Sequence, residues 1–267
     1  RKIPTPQAHP TLLAACGADV ALADSVNRLL YRQGRVSTLP PGVEVLRCWR
    51  NQLLTLSSET NGLTLYGAHD YPLVTSTDGI RPCDCVVVDC QVIVCGCEDG
   101  CLHIFSLPDL REIAAYPVPG CPMRVAADGG VLTCLSLLRP DPQTLLFRLC
   151  LTSGDFAPIA LLPGWCGAVT IADDHTIWAG VGEQLLHFPL DSVVPDVQLG
   201  EFGLIRFLSC QQSKLLISDP WAGRCLLMDT TPPYAPCQLY AGECGGCCFA
   251  SCRKGTLPDW KASLNEP

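Results

Sequence analysis

Residues 79–119 read GIRPCDCVVVDCQVIVCGCEDGCLHIFSLPDLREIAAYPVP. A glycine opens the segment. A short apolar run follows, then a polar break at Asp89, a second apolar run, a small acidic loop, a third run and a weaker fourth. Short runs of β-branched and aliphatic residues bounded by Asp, Gly and Pro are strand signals. No stretch shows the capped 3.6-residue periodicity of a helix.

The same grammar recurs on either side. Segments opening at Gly42, Gly79, Gly120, Gly164 and Gly203 succeed one another at intervals of 37, 41, 44 and 39 residues. An earlier copy, HPTLLAACGADVALADSVNRLLYRQGRVSTLP, starts at His9. A period near forty residues with four short strands per unit predicts an all-β fold, a single β-propeller of four-stranded blades. Six copies predict six blades, with inner strands near residues 43–47, 84–88, 124–127, 169–172 and 206–209. The alternative is a seven-bladed ring in which residues 242–267 and the N-terminal arm build a blade together. The expected division is an arm over residues 1–8, the propeller over 9–252 and a tail over 253–267.

Two stretches carry a resemblance. VALADSVNRLLYR (20–32) and LLISDPWAGRCLLMDTT (215–231) resemble the second-strand, loop, third-strand core of YVTN-repeat propellers. That group includes lactonase-like, surface-layer and quinoprotein-like propellers. The likeness runs over about residues 9–242. The motif itself appears only in altered forms, IVCG (93–96), IWAG (177–180) and LISD (216–219), and the cysteine content exceeds what the group suggests. The resemblance implies the fold and leaves activity open, because one propeller scaffold hosts unrelated functions.

Composition narrows the classes. The 267 residues are 48% apolar and 16% charged, as in a well-buried globular chain. The net charge of −8, with no basic stripe, argues against nucleic acid. No apolar run reaches the roughly 18 residues of a membrane span. The Pro-rich opening RKIPTPQAHP reads as a linker. With the low charge density it points to an extracellular or envelope-associated protein, the cytoplasm being the alternative. A monomer is expected.

The chain has 19 cysteines, an odd number scattered through predicted strands. GECGGCCFASC, residues 242–252, aligns with an inner strand, where crowding favours small residues. Packing, disulfides and a metal site all remain open there. Cys244 and Cys247 form a C-x-x-C pair, but adjacent Cys247 and Cys248 face opposite sides of a strand. The hairpin CDCVVVDCQVIVCGC (83–97) is better arranged. If it turns at Asp89-Cys90-Gln91, Val88 pairs with Val92, Cys85 faces Cys95 and Cys83 faces Cys97. Four thiols on one face could pack, form disulfides or hold a metal, and a one-residue slip would remove the facing pairs. Packing is preferred, so most cysteines are expected to be buried and reduced, and no metal is favoured.

A propeller takes its ligand at the end of the channel where the fourth-to-first and second-to-third strand loops meet. Aligned across repeats, Glu44, Asp84, Arg124 and Arg206 take mid-first-strand positions. They read as mutual neutralisation around a channel, or as a seat for an anion held by Arg124 and Arg206. Trp221, in PWAG, is the best exposed aromatic for stacking on a sugar or peptide. His9, His69, His103, His175 and His187 share no blade position and read as loop or strand-surface residues. ADDH (172–175) reads as a turn at the opposite end. There is no G-x-S-x-G, H-E-x-x-H or phosphate loop.

Three functions follow. The leading one is a non-enzymatic propeller binding a protein, peptide or glycan, with no catalytic residues and no cofactor. The second is a lactonase-like or other hydrolase whose channel cation would be held by Asp24, Glu44, Asn61 and Asp84. The third is a cysteine-based metal or redox protein.

Overall fold

Each repeat folds into a four-stranded antiparallel sheet whose strands follow one another in chain order. The computed structural model describes residues 12–16, 19–32, 34–67, 72–76 and 80–241. Blade 1 comprises β1 (Leu12–Cys16), β2 (Asp19–Asp24), β3 (Leu29–Arg32) and β4 (Arg35–Thr38). Blade 2 comprises β5 (Val43–Trp49), β6 (Gln52–Ser57), β7 (Gly62–Tyr66) and β8 (Pro72–Ser76). Blade 3 comprises β9 (Pro82–Val88), β10 (Gln91–Gly96), β11 (Cys101–Ser106) and β12 (Glu112–Pro117). Blade 4 comprises β13 (Cys121–Asp128), β14 (Val131–Leu138), β15 (Gln143–Cys150) and β16 (Phe156–Pro163). Blade 5 comprises β17 (Cys166–Ile171), β18 (Ile177–Val181), β19 (Gln184–Phe188) and β20 (Val197–Leu199). Blade 6 comprises β21 (Phe207–Gln211), β22 (Lys214–Asp219), β23 (Arg224–Asp229) and β24 (Cys237–Ala241). Among the described residues the only helical element is the 3-10 turn Pro220–Ala222.

The six sheets form a β-propeller. The inner strands β1, β5, β9, β13, β17 and β21 pack on one another in sequence, where the repeat spacing put them. The cores lie between blades, and the strand period shows how. Val92 and Val94 of β10 pack with Val45, Leu54 and Leu65 of blade 2. Ile93 and Cys95, one residue out of phase, pack with Val125, Cys134 and Phe147 of blade 4. A middle strand is therefore buried on both faces, which is why it reads as an unbroken apolar run. The outer strand β12 faces solvent on one side and its burial alternates instead.

Four consecutive inner strands carry a bulge near their start. Glu44, Cys83, Met123 and Gly167 each have no cross-strand partner. The extra residue shifts the face presented by everything that follows it.

The cysteine hairpin takes a different register from the one expected. Val88 pairs with Gln91 across a two-residue turn, and Cys85 lies opposite Val94. Asp89 enters that turn at a φ of 51°, a left-handed conformation Asp tolerates. The shift puts Cys85 in the core between blades 2 and 3 and Cys95 in the core between blades 3 and 4. Cys83, Cys85, Cys95 and Cys97 therefore do not share a face. Cys83, on the bulge, donates to Cys95 O at 3.5 Å and Pro122 O at 3.1 Å. Thirteen described cysteines lie outside disulfides, and five of these are buried. That is fewer than expected, because thiols near strand ends and turns reach solvent. Cys48 is disulfide-bonded. The segment 242–252, with Cys247 and Cys248, lies outside the described residues.

Candidate functional site

One end of the ring gathers the second-to-third strand turns and the loops that lead into the next blade. The last residue of the second strand ties these together. In blade 2, Ser57 Oγ donates to Pro41 O at 2.6 Å and accepts from Thr60 N at 3.1 Å. In blade 1, Asp24 accepts from Asn27 N at 2.9 Å and Asn27 Nδ2 at 2.7 Å. In blade 6, Asp219 is fully buried and accepts from Gly203 N at 3.0 Å, Ala222 N at 3.4 Å and Arg224 Nε at 3.1 Å. A short polar side chain capping the N–H three residues on is a common turn device.

That turn in blade 6 displays Trp221, which is 77% exposed. Its backbone is seated tightly. A Cβ on Gly203 would lie 2.8 Å from both Trp221 Cβ and Asp219 Oδ1. Arg224 lies over the Phe202 ring at 5.3 Å and donates to Glu201 O. Two further exposed apolar side chains emerge at the same end, Val26 at 73% from the β2–β3 turn and Trp165 at 55% just before β17.

The centre of the ring is tied together by polar groups from the inner strands. Asp84 Oδ1 accepts from Arg47 Nη2 and from Cys85 N, both at 2.9 Å, and Oδ2 accepts from Val125 N at 3.1 Å. One carboxylate thus joins blades 2, 3 and 4. Arg47 Nε also donates to Cys85 O at 2.9 Å. Arg124 is 9% exposed and crosses to both neighbours, donating to Gly167 O at 2.7 Å and Cys83 O at 3.4 Å. Among the described residues Arg124 forms no ion pair.

The four aligned positions are not structurally equivalent. Asp84 and Arg124 directly follow the bulge of their strands, where the other blades have Val45 and Ala168. Glu44 is itself a bulge residue, exposed and bonded to Ser58 Oγ. Arg206 precedes β21 and is exposed. Alignment by the opening glycine counts the bulge inconsistently, hence the offset. Sequence reasoning missed Arg47, the ion-pair partner of Asp84, because it lies near the strand's far end.

The histidines also differ from expectation. His103 and His187 are buried in third strands, at 5% and 8% exposure, each held by carboxylates. His175 is on the expected turn and contacts Asp128, while Asp173 Oδ2 accepts from Gln212 N at 2.9 Å. His9 and His69 lie outside the described residues.

No protein-family model and no curated protein matches the chain by sequence. Solved structures do match by shape. Virginiamycin B lyase from Staphylococcus aureus, in a catalytically inactive form with quinupristin, superposes with a TM-score of 0.68 at 10% identity, over 89% of this chain and 86% of that one. Hydrazine synthase of Kuenenia stuttgartiensis gives 0.67 at 10% identity over 86% and 79%. Hsv2 of Kluyveromyces lactis gives 0.57 at 12% identity over 82% and 73%. At such identities the likeness carries the fold alone: the described residues form six four-stranded blades of a β-propeller, a fold shared with structures of diverse activity.

Proposed function

We propose that this propeller is a non-catalytic recognition module, taking a protein, peptide or glycan at the end that displays Trp221. The observation that carries this reading is an indole 77% exposed on a turn whose Asp219 carboxylate is fully buried and bonded. A large amphipathic ring on a rigid seat offers contact area with little loss of conformational freedom on binding. Trp165 on blade 5 and Val26 on blade 1 are further exposed apolar side chains at the same end. Glu44 and Arg206, both exposed at this end, supply a polar rim. Asp84 and Arg124 act in this reading as ties between blades rather than as ligand groups. Kinship with YVTN-repeat propellers goes with it, supported by residues 20–32 and 215–231, each forming second strand, turn and third strand. An exported location also goes with it, supported by the disulfide at Cys48.

The test is selection from a displayed peptide library and a glycan array, with wild type and Trp221→Ala side by side. Ligands of the wild type should lose roughly tenfold or more in affinity on the variant, as for a central aromatic anchor. Ligands that bind both proteins equally would remove Trp221 from the site and the reading with it.

A further inference from the structure

Blade 3 differs from blades 1, 2 and 6 where the second strand ends, as do blades 4 and 5, whose second strands end in Leu138 and Val181. Blades 1, 2 and 6 place Asp24, Ser57 and Asp219 there, and blade 3 places Gly96. A Cβ on Gly96 would lie 2.4 Å from Asp99 Oδ1 and 2.9 Å from His103 Nε2. The missing side chain is what lets the Asp99 carboxylate turn in from the loop. Asp99 Oδ2 meets His103 Nε2 at 2.7 Å, and Glu112 Oε1 meets His103 Nδ1 at 2.8 Å from the outer strand. His103 is buried, and both ring nitrogens are held in direction. Cys101 stands two residues before His103 on β11 and so shares its face. The Cys101 Sγ, a ring nitrogen of His103 and a carboxylate oxygen of Asp99 all lie within 4.8 Å of one another.

We propose that Asp99, Cys101 and His103 form a binding site for a zinc-class divalent metal ion, with Glu112 orienting the histidine. Sulfur, nitrogen and oxygen donors in one set suit zinc and its neighbours rather than magnesium or calcium. Tetrahedral bonds of about 2.0–2.3 Å put ligand atoms roughly 3.3–3.8 Å apart, so a small opening of the Asp99–His103 contact admits the ion. A proton on Nδ1 donated to Glu112 leaves the Nε2 lone pair for the metal, the carboxylate–histidine–metal arrangement. Binding releases the Cys101 thiol proton and any proton on Nε2. The side chain of Asp99 is 42% exposed and that of Glu112 38%, so the site opens to solvent, with the fourth position open to water. The site lies on the β10–β11 turn of blade 3, whereas Trp221 is on the β22–β23 turn of blade 6, and it does not depend on that reading.

The experiment is titration of the reduced, metal-free protein with Co2+, following the thiolate-to-cobalt absorption. Other cysteines contribute, so the readout is the difference between wild type and Cys101→Ser. Wild type should bind one more ion per chain than Cys101→Ser or Asp99→Asn, and Glu112→Gln should weaken that ion about 10- to 100-fold. Equal stoichiometry and spectra in all four proteins would overturn the proposal and leave a histidine held between two carboxylates. If Cys101→Ser does not fold, X-ray absorption of wild type loaded with one zinc decides. A mixed sulfur, nitrogen and oxygen shell supports the site, and an all-sulfur shell overturns it.

Discussion

Cys85 and Cys95 are packed thiols whose chemistry follows from their burial. Desolvation disfavours the thiolate and pushes Cys85 up to about 12 and Cys95 up to about 11, from an ordinary 9.0. A folded-state pKa above the unfolded one means stability that is full below about pH 9. It is lost as pH rises towards 12, because the unfolded chain ionises first. Urea unfolding at pH 8 and pH 10 should therefore give a lower stability at the higher pH. The Cys85→Ala, Cys95→Ala double variant should fall less steeply, and an equal slope would refute the account. At this scale the sequence was only partly legible. A small apolar residue inside a strand could be read as core from its neighbours. The partner of Asp84 could not, because Arg47 comes from another blade and the pairing depends on how the two inner strands sit. His103 was misread for a similar reason. Its carboxylates come from a loop and an outer strand, and the one local hint was a glycine where blades 1, 2 and 6 place a capping side chain.

The inner-strand bulge is the element that most affected the reading. An added residue at Glu44, Cys83, Met123 and Gly167 leaves the repeat period almost unchanged but reverses which positions share a face. The strands themselves could be located to within a few residues, since apolar runs and glycines mark them. The register inside the cysteine hairpin could not, because two- and three-residue turns at Asp89 fit the same apolar pattern. The bulge in blade 5 makes a sharp prediction. A Cβ on Gly167 would lie 2.6 Å from Gly180 O and 2.6 Å from Ile205 O, both backbone atoms that cannot swing away. Gly167→Ala should therefore destabilise the protein by about 1–3 kcal/mol. Gly130→Ala, whose Cβ would meet nothing within 4 Å, serves as the control. Thermal unfolding checks this, and equal melting temperatures for the two variants would show that the inner strands yield more than their packing implies.

At the scale of the molecule the propeller was legible because its evidence is repetition, which survives errors in any single strand. Five glycine-led openings and the copy from His9, each followed by two strong apolar runs, pointed to the six blades of the described residues despite the misjudged register. The ligand was not legible, because the loops that would recognise one carry no repeat. No helix among the described residues is long and apolar enough to cross a membrane. Every blade is built from four strands that are consecutive in the chain, and among the described residues no blade borrows a strand from another. This contiguity bears on biosynthesis. A ring fastened by exchanging strands between its two ends must wait for the last residues before its first blade is whole. Here each sheet has all its strands once about forty residues have left the ribosome, and it can dock on the one made before it. Folding force on the nascent chain, read with a translational arrest peptide placed after successive blades, should rise in steps at blade boundaries. A single late rise at full length would mean that the sheets wait for one another after all.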